Sequence, residues 1–342
     1  MTSRSSSVPA ARPTAADGPD PAVGLLDLTS AFMASRVILT AVELGLFEPL
    51  ATGCVSGTEV ALALGTDRDA TEILLNALAA LGTVRRCHDG FELPEDLAPC
   101  LDPAAPDGLG DVLRHMGRLW SSWSGLTQAV RDGHPRPRSD AEGASLDLAR
   151  AMRWYARESA PRVAALLEDT RPGRILDLGG GAGSFSIALA RQLPEARVEL
   201  CDRDPQALGV ARADIEAAGL TQRIRVREVD ALTGDIGSGY DLVLLSSVLC
   251  TCPDEQCHAL LTAARDALVP GGRIAIRDLM LDSSTTSSLP AALFSLTMLL
   301  TGGGRVRWRG ELKRRLEGLG FADVHWLPMD PMHVMIGVKA GP

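Results

Sequence analysis

From Leu25 to Leu101 apolar residues recur at three- and four-residue intervals, with breaks at Gly45, Gly53, Gly57, Gly65 and Gly82. That rhythm predicts short amphipathic helices packed into one helical domain. Ser56 to Leu64 opens on small and polar residues and continues as an apolar stripe, and Arg68 to Leu81 is a second amphipathic run ending at Gly82, so both read as helices. Thr83 to Arg86 and Gly90 to Leu93 flank His88-Asp89-Gly90 and read as a short hairpin. Helix, turn, helix and hairpin make a winged-helix arrangement. After Arg174 the rhythm changes. RILDL, RVELC, RIRVREV, DLVLLS and RIAIRDL are strand-like runs separated by helical stretches, which predicts a doubly wound, mostly parallel α/β sheet. ADVHWL and HVMIGVKA lie close together near the end and suit an antiparallel hairpin on the sheet edge.

Residues 1–20, MTSRSSSVPAARPTAADGPD, lack the apolar core of a signal peptide and read as a disordered tail. RDGHPRPRSDAEG, from Arg131 to Gly143, interrupts the helical rhythm with two prolines and two glycines. A connector over 131–145 therefore separates a helical domain at 21–130 from a second domain at 146–342. With 342 residues and 46% hydrophobic content, the chain can build both cores.

Charge narrows the partners. Acidic residues number 43 against 34 basic, a net charge of -9, the reverse of a phosphate-neutralising surface. The helix that would read DNA carries Arg68 as its only basic residue, beside Asp67, Asp69 and Glu72, so nucleic acid is not an expected partner. Leu289 to Thr301 is apolar but shorter than a bilayer span and holds Ser295 and Thr297; it reads as a buried helix, and no membrane partner is expected. Seven cysteines at irregular spacing point to reduced thiols and a cytoplasmic location. Cys250, Cys252, Cys257 and His258 form a local group without the paired spacing of a zinc site, so no metal is expected.

The strongest chemical signal is Asp177-Leu178-Gly179-Gly180-Gly181-Ala182-Gly183, directly after the first strand of the second domain and before a helical run. Glycines there permit a tight turn and close approach of a ligand to the helix N-terminus. A nicotinamide fingerprint requires glycine or alanine where this chain has Ser184, so that cofactor does not fit. Asp202 ends the second strand, where a carboxylate can bind both hydroxyls of a ribose.

ILDLGGGAGSFSIALA, ELCD and VREVDAL together resemble the methyl-donor site of class I methyltransferases, whose domain is Rossmann-like. TAVELGLFEPLA and TEILLNALAALGTV resemble the dimerisation domain of the acetylserotonin and plant phenolic O-methyltransferase family. The resemblance implies S-adenosylmethionine as cofactor and an obligate homodimer acting on a small molecule. It assigns Asp177, Gly179, Gly181 and Gly183 to the amino-acid part of the cofactor, Asp202 and the adjoining Arg203 to the ribose end, Asp230 and Ala231 to the adenine, and Ser246 to the same cofactor site. It also places Met152 near the transferred methyl and Met298 near the acceptor.

The acceptor side departs from the family. Phenol-methylating members carry Leu-His-Asp-Trp after the fourth strand, and their His takes the acceptor proton; the matching run here is Leu249-Cys250-Thr251-Cys252. Asp278 matches the acidic partner after the fifth strand, while a second Glu is replaced near Val306. Cys250, Asp278, Met152 and Tyr155 are the candidate catalytic residues; Trp120, Trp123 and Trp154, clustered before the glycine loop with Tyr155, and Met298 are the candidate substrate contacts. The rings suit either a cation or ordinary packing. Arg114, Arg118 and Arg153 are candidates for an acceptor carboxylate or simply solvated charges, and His115, His134 and His258 are alternative bases. Three readings stay open: methylation of S, N or C without a base, O-methylation with a relocated base, and a cofactor-binding enzyme that transfers no methyl.

Overall fold

The computed structural model describes residues 20–105, 107–135, 143–282, 289–329 and 332–341. The expected tail, up to residue 19, and the centre of the expected connector, 136–142, lie outside them. Two compact units divide at Met1–Gly117 and Arg118–Pro342.

The first unit opens with the helices Pro21–Ser30, Phe32–Leu44 and Phe47–Leu50. The Gly57–Leu64 helix starts on a capping box: Glu59 N–H donates to Ser56 Oγ, and the Glu59 carboxylate accepts from Ser56 N–H at 2.9 Å. That reciprocal pair satisfies two otherwise orphaned amides. Arg68–Ala80 follows, capped by Asp67. The hairpin strands β1 (Arg85–Arg86) and β2 (Phe91–Glu92) pair antiparallel. Ala41, Leu46, Phe47, Leu50, Val60, Leu75, Leu78 and Phe91 form the core of this unit.

Two expectations are corrected here, on the cysteines and on the Leu289 helix. Cys54 and Cys87 form a disulfide, because the antiparallel bridge between Val55 and Phe91 brings segments 33 residues apart side by side; the remaining five cysteines are free thiols. The Pro21–Leu44 stretch is long and apolar enough, by length and composition, to cross a membrane. It leaves Leu25, Leu26, Leu28, Phe32 and Met33 exposed, a feature that the apolar run at Leu289 had eclipsed. The Leu289–Gly302 helix itself buries Ala291, Met298 and Leu300, with Leu289 and Leu293 exposed; it is one-sided, not wholly buried.

In the second unit the sheet order is β10-β11-β7-β6-β3-β4-β5, with β3 (Arg174–Leu178), β4 (Arg197–Asp202), β5 (Ile224–Glu228), β6 (Tyr240–Ser246), β7 (Leu268–Asp278), β10 (Phe321–Met329) and β11 (Met332–Lys339). Strands β3 to β7 pair in parallel, and β11 runs antiparallel to both β7 and β10. The hairpin therefore closes one edge, as its spacing predicts. The helices Ala144–Leu166, Ser184–Gln192 and Pro205–Ala217 cover one face, burying Val163, Leu189 and Leu208. Asp254–Ala267 and Arg309–Gly318 cover the other, burying Leu261 and Leu316. Continuous apolar strands buried on both faces are the mark of such a parallel sheet. A second, two-stranded parallel pair, β8 (Met280–Leu281) and β9 (Arg307–Trp308), is too short to have shown a periodic pattern.

Candidate functional site

The carboxyl ends of the parallel strands converge on the glycine loop, the position where open α/β sheets hold ligands. After β3 the chain turns at Gly179, φ +74°, where a Cβ would stand 2.6 Å from Val248 Cγ2. Only glycine fits that combination of left-handed backbone and close approach. Gly179 N–H donates to the Cys201 carbonyl at 2.7 Å, tying the loop to β4. Gly183, φ +78°, then caps the Ser184–Gln192 helix.

Two carboxylates support this loop differently. Asp202 at the end of β4 accepts Gly181 N–H through Oδ2 and Asp204 N–H through Oδ1, both at 2.9 Å. Asp177 is fully buried; its Oδ2 accepts the Ser186 hydroxyl at 2.6 Å, while its Oδ1 has no partner among the described residues. Burial, opposed by Ser186 and reinforced by the Asp202 charge, pushes Asp177 up to about 6. An orphaned buried carboxylate oxygen is costly, and a ligand bearing an ammonium offsets it. Asp230 accepts Leu232 N–H at 2.9 Å and faces Arg203 at 4.0 Å, both side chains substantially exposed. Ala231 is half-buried against the adjoining core, and Ser246 ends β6, two residues beyond Leu244, which registers with Asp177. These residues fit a ligand with a cationic amino-acid end and a ribose, which is what S-adenosylmethionine presents.

The acceptor-side candidates form a second group. Cys250 lies in the short turn Leu249–Thr251 after β6, and its N–H donates to Asp278 Oδ2 at 3.0 Å. Asp278 Oδ1 accepts Leu279 N–H at 2.9 Å. Burial pushes the Cys250 thiol well above its usual range, with the Asp278 charge adding to the effect, and burial pushes Asp278 up to about 6. Gly302–Gly304 seat this turn from outside: a Cβ on Gly304 would stand 2.1 Å from the Cys250 carbonyl oxygen. Buried Arg307 donates to the carbonyls of Leu249 and Cys252 and to Asp254 Oδ1. That guanidinium stands beside Val306, where the resemblance leads one to look for Glu.

The remaining candidates scatter. Met152 and Tyr155 lie on the Ala144–Leu166 helix, 38% and 42% exposed, and burial of part of the ring raises the Tyr155 phenol. Trp154 packs edge-on to Tyr155 at 5.5 Å, and the chain's own Arg157 covers its face at 4.2 Å. Trp120 and Trp123 are half-buried on the Gly110–Ser124 helix, and Met298 is buried on the Leu289–Gly302 helix. His258 and His134 are exposed, and His115 belongs to the first unit. The arginines considered for an acceptor carboxylate already hold carboxylates of this chain: Arg114 that of Asp111, Arg118 that of Asp147, Arg153 that of Asp214. Two buried arginines, Arg277 and Arg307, escaped the sequence reading, since a charge beside Asp278 or Val306 looks ordinary until strand register buries it.

Comparison with known proteins places these observations. Residues 123–322 match the family model of the O-methyltransferase domain, and residues 26–114 that of the O-methyltransferase dimerisation domain. A 3-hydroxy-5-methyl-1-naphthoate 3-O-methyltransferase of Streptomyces sahachiroi is 31% identical across 92% of this chain and 95% of its own length. The N,N-dimethyltransferase OxyT of Streptomyces rimosus is 29% identical across 77% of this chain and 80% of its own. PigF of Serratia sp., solved with SAH, superposes with a TM-score of 0.83 at 26% identity, covering 93% of this chain and 99% of that one.

Proposed function

Since this chain belongs to the O-methyltransferase family and is an S-adenosylmethionine-dependent methyltransferase, we propose that it methylates a small molecule whose attacking S, N or C atom needs no base. One observation carries this reading: Cys250, which stands where the family carries its base, is buried, and burial pushes its thiol up, so it accepts no proton at neutral pH. When bound, the cofactor supplies a methyl group activated on a sulfonium. Asp202 and the glycine loop hold and orient that donor, and Asp177 balances its charge. A neutral amine or thioether presents its lone pair without prior deprotonation, so orientation against the donor supplies the main rate gain, of order 7 kcal/mol or more. The similarity to an N,N-dimethyltransferase as well as to an O-methyltransferase supports an amine acceptor on this scaffold.

A second reading has its own observation. Asp278, pushed up to about 6, sits in the range where a carboxylate works as a general base, so O-methylation with Asp278 as the relocated base is the competitor. Methyl-labelled S-adenosylmethionine offered with a phenol, an aromatic amine and a thioether separates them. We expect label in the amine or thioether, with kcat/KM free of an enzyme-derived acid limb. Label confined to the phenol, with a limb near pH 6, overturns the proposal.

The proposal includes a homodimer, supported by the dimerisation-domain match and by the exposed Leu25, Leu26, Leu28, Phe32 and Met33. It also places the protein in the cytoplasm, with Cys54–Cys87 the exception among otherwise reduced cysteines.

A further inference from the structure

Arg277 is a buried cation at the margin of the donor site, where it holds Ser246. It is 9% exposed, one residue from the end of β7, with its register partner Ser246 on β6. Its Nη1 donates to Ser246 Oγ at 3.3 Å and Ser247 Oγ at 3.2 Å, and its Nη2 to Ser159 Oγ at 3.1 Å. The guanidinium lies over the Phe185 ring, 5.0 Å from its centroid. Its Nε is buried without a partner among the described residues. Among the described residues no carboxylate forms an ion pair with it; the groups that act on it electrostatically are Asp278, its chain neighbour on β7, and then Cys250. Burial lowers the guanidinium from its ordinary value, yet an arginine stays charged.

Three neutral hydroxyls solvate such a cation but do not neutralise it, and an uncompensated buried charge is costly. Each serine oxygen accepts from Arg277, and the hydroxyl protons of half-buried Ser246 and Ser247 have no acceptor among the described residues. Ser247 holds φ +56°, a left-handed backbone that a serine adopts at a cost. Ser159 shares a helix face with Met152 and Tyr155, seven and four residues before it along Ala144–Leu166. Two hydroxyls with protons left to donate, backed by a buried cation and next to the helix face assigned to the acceptor, make a receptor for an oxyanion.

We propose that Arg277, Ser159, Ser246 and Ser247 form a subsite for a carboxylate carried by the acceptor. The inference rests on the small-molecule methyltransferase reading and narrows its substrate to an organic acid. The charge enters through the serine hydroxyls and fixes the acid at a set distance from the methyl donor.

Binding tests this without any methyl transfer, so its failure is separate from failure of the reaction proposed above. Wild-type protein saturated with S-adenosylhomocysteine is titrated calorimetrically with benzoate and with benzamide. Benzoate is expected to bind at least about tenfold more tightly, as a charge-assisted contact gives. Arg277→Met should erase that preference and leave S-adenosylhomocysteine affinity within about twofold. If Arg277→Met does not fold, Arg277→Lys should retain a benzoate preference and Ser246→Ala/Ser247→Ala should reduce it severalfold. Equal affinities in the wild type overturn the proposal. So does a preference that survives Arg277→Met. Loss of S-adenosylhomocysteine affinity in Arg277→Met likewise overturns it, because the carboxylate read is then the donor's own.

Discussion

Asp202 and Asp278 both end a parallel strand with each carboxylate oxygen accepting a backbone amide, yet they serve opposite designs. Asp202 is half-buried at the mouth of the glycine loop, with lone pairs left for a ligand. Asp278 is buried, and the thiol beside it raises no charge of its own at neutral pH. The donor edge is a polar cradle that waits for a partner; the acceptor turn is closed by its own chain. The same hydrogen-bond pattern thus yields a binding group where water reaches it and a structural strut where water does not.

The sharpest way to break that contrast is at the strut. Gly304→Ala drives a Cβ against the Cys250 carbonyl and should lower stability by about 3 kcal/mol, read by urea unfolding; a neutral result shows the turn to be adaptable. Asp202→Ala should weaken S-adenosylmethionine binding about 100-fold in calorimetry, since two charge-assisted contacts are lost, with stability much less affected. The Asp278 strut carries a pH signature. Its folded value of about 6 stands above its ordinary 3.8, so its contribution is complete below about pH 4 and is lost as pH rises through 6. That loss is on the order of 2–3 kcal/mol, and Asp278→Asn should flatten this part of the pH dependence of unfolding. The smallest effect is the most telling: Cys250→Ala should change kcat by less than about threefold, and a loss of 100-fold or more would restore Cys250 as a catalytic group.

The donor edge was legible because its chemistry is local in sequence. Asp177 through Gly183 are contiguous, and Asp202 ends a strand that its apolar run marks. The acceptor side was legible only by resemblance. Arg307 meets Leu249 across 58 residues and Arg277 meets Ser159 across 118, so no window of sequence contains both partners. Cys54 and Cys87 escaped for the same reason, joined through a single bridge between Val55 and Phe91. Strand identities followed from hydrophobic runs, while β8 and β9, of two residues each, offered no period to read.

The bare apolar side of the Pro21–Leu44 stretch has a consequence for handling the protein. Within the proposed pair of chains, mass action enters the folding equilibrium. The melting temperature should then climb with protein concentration, and dilution alone should act as a mild denaturant.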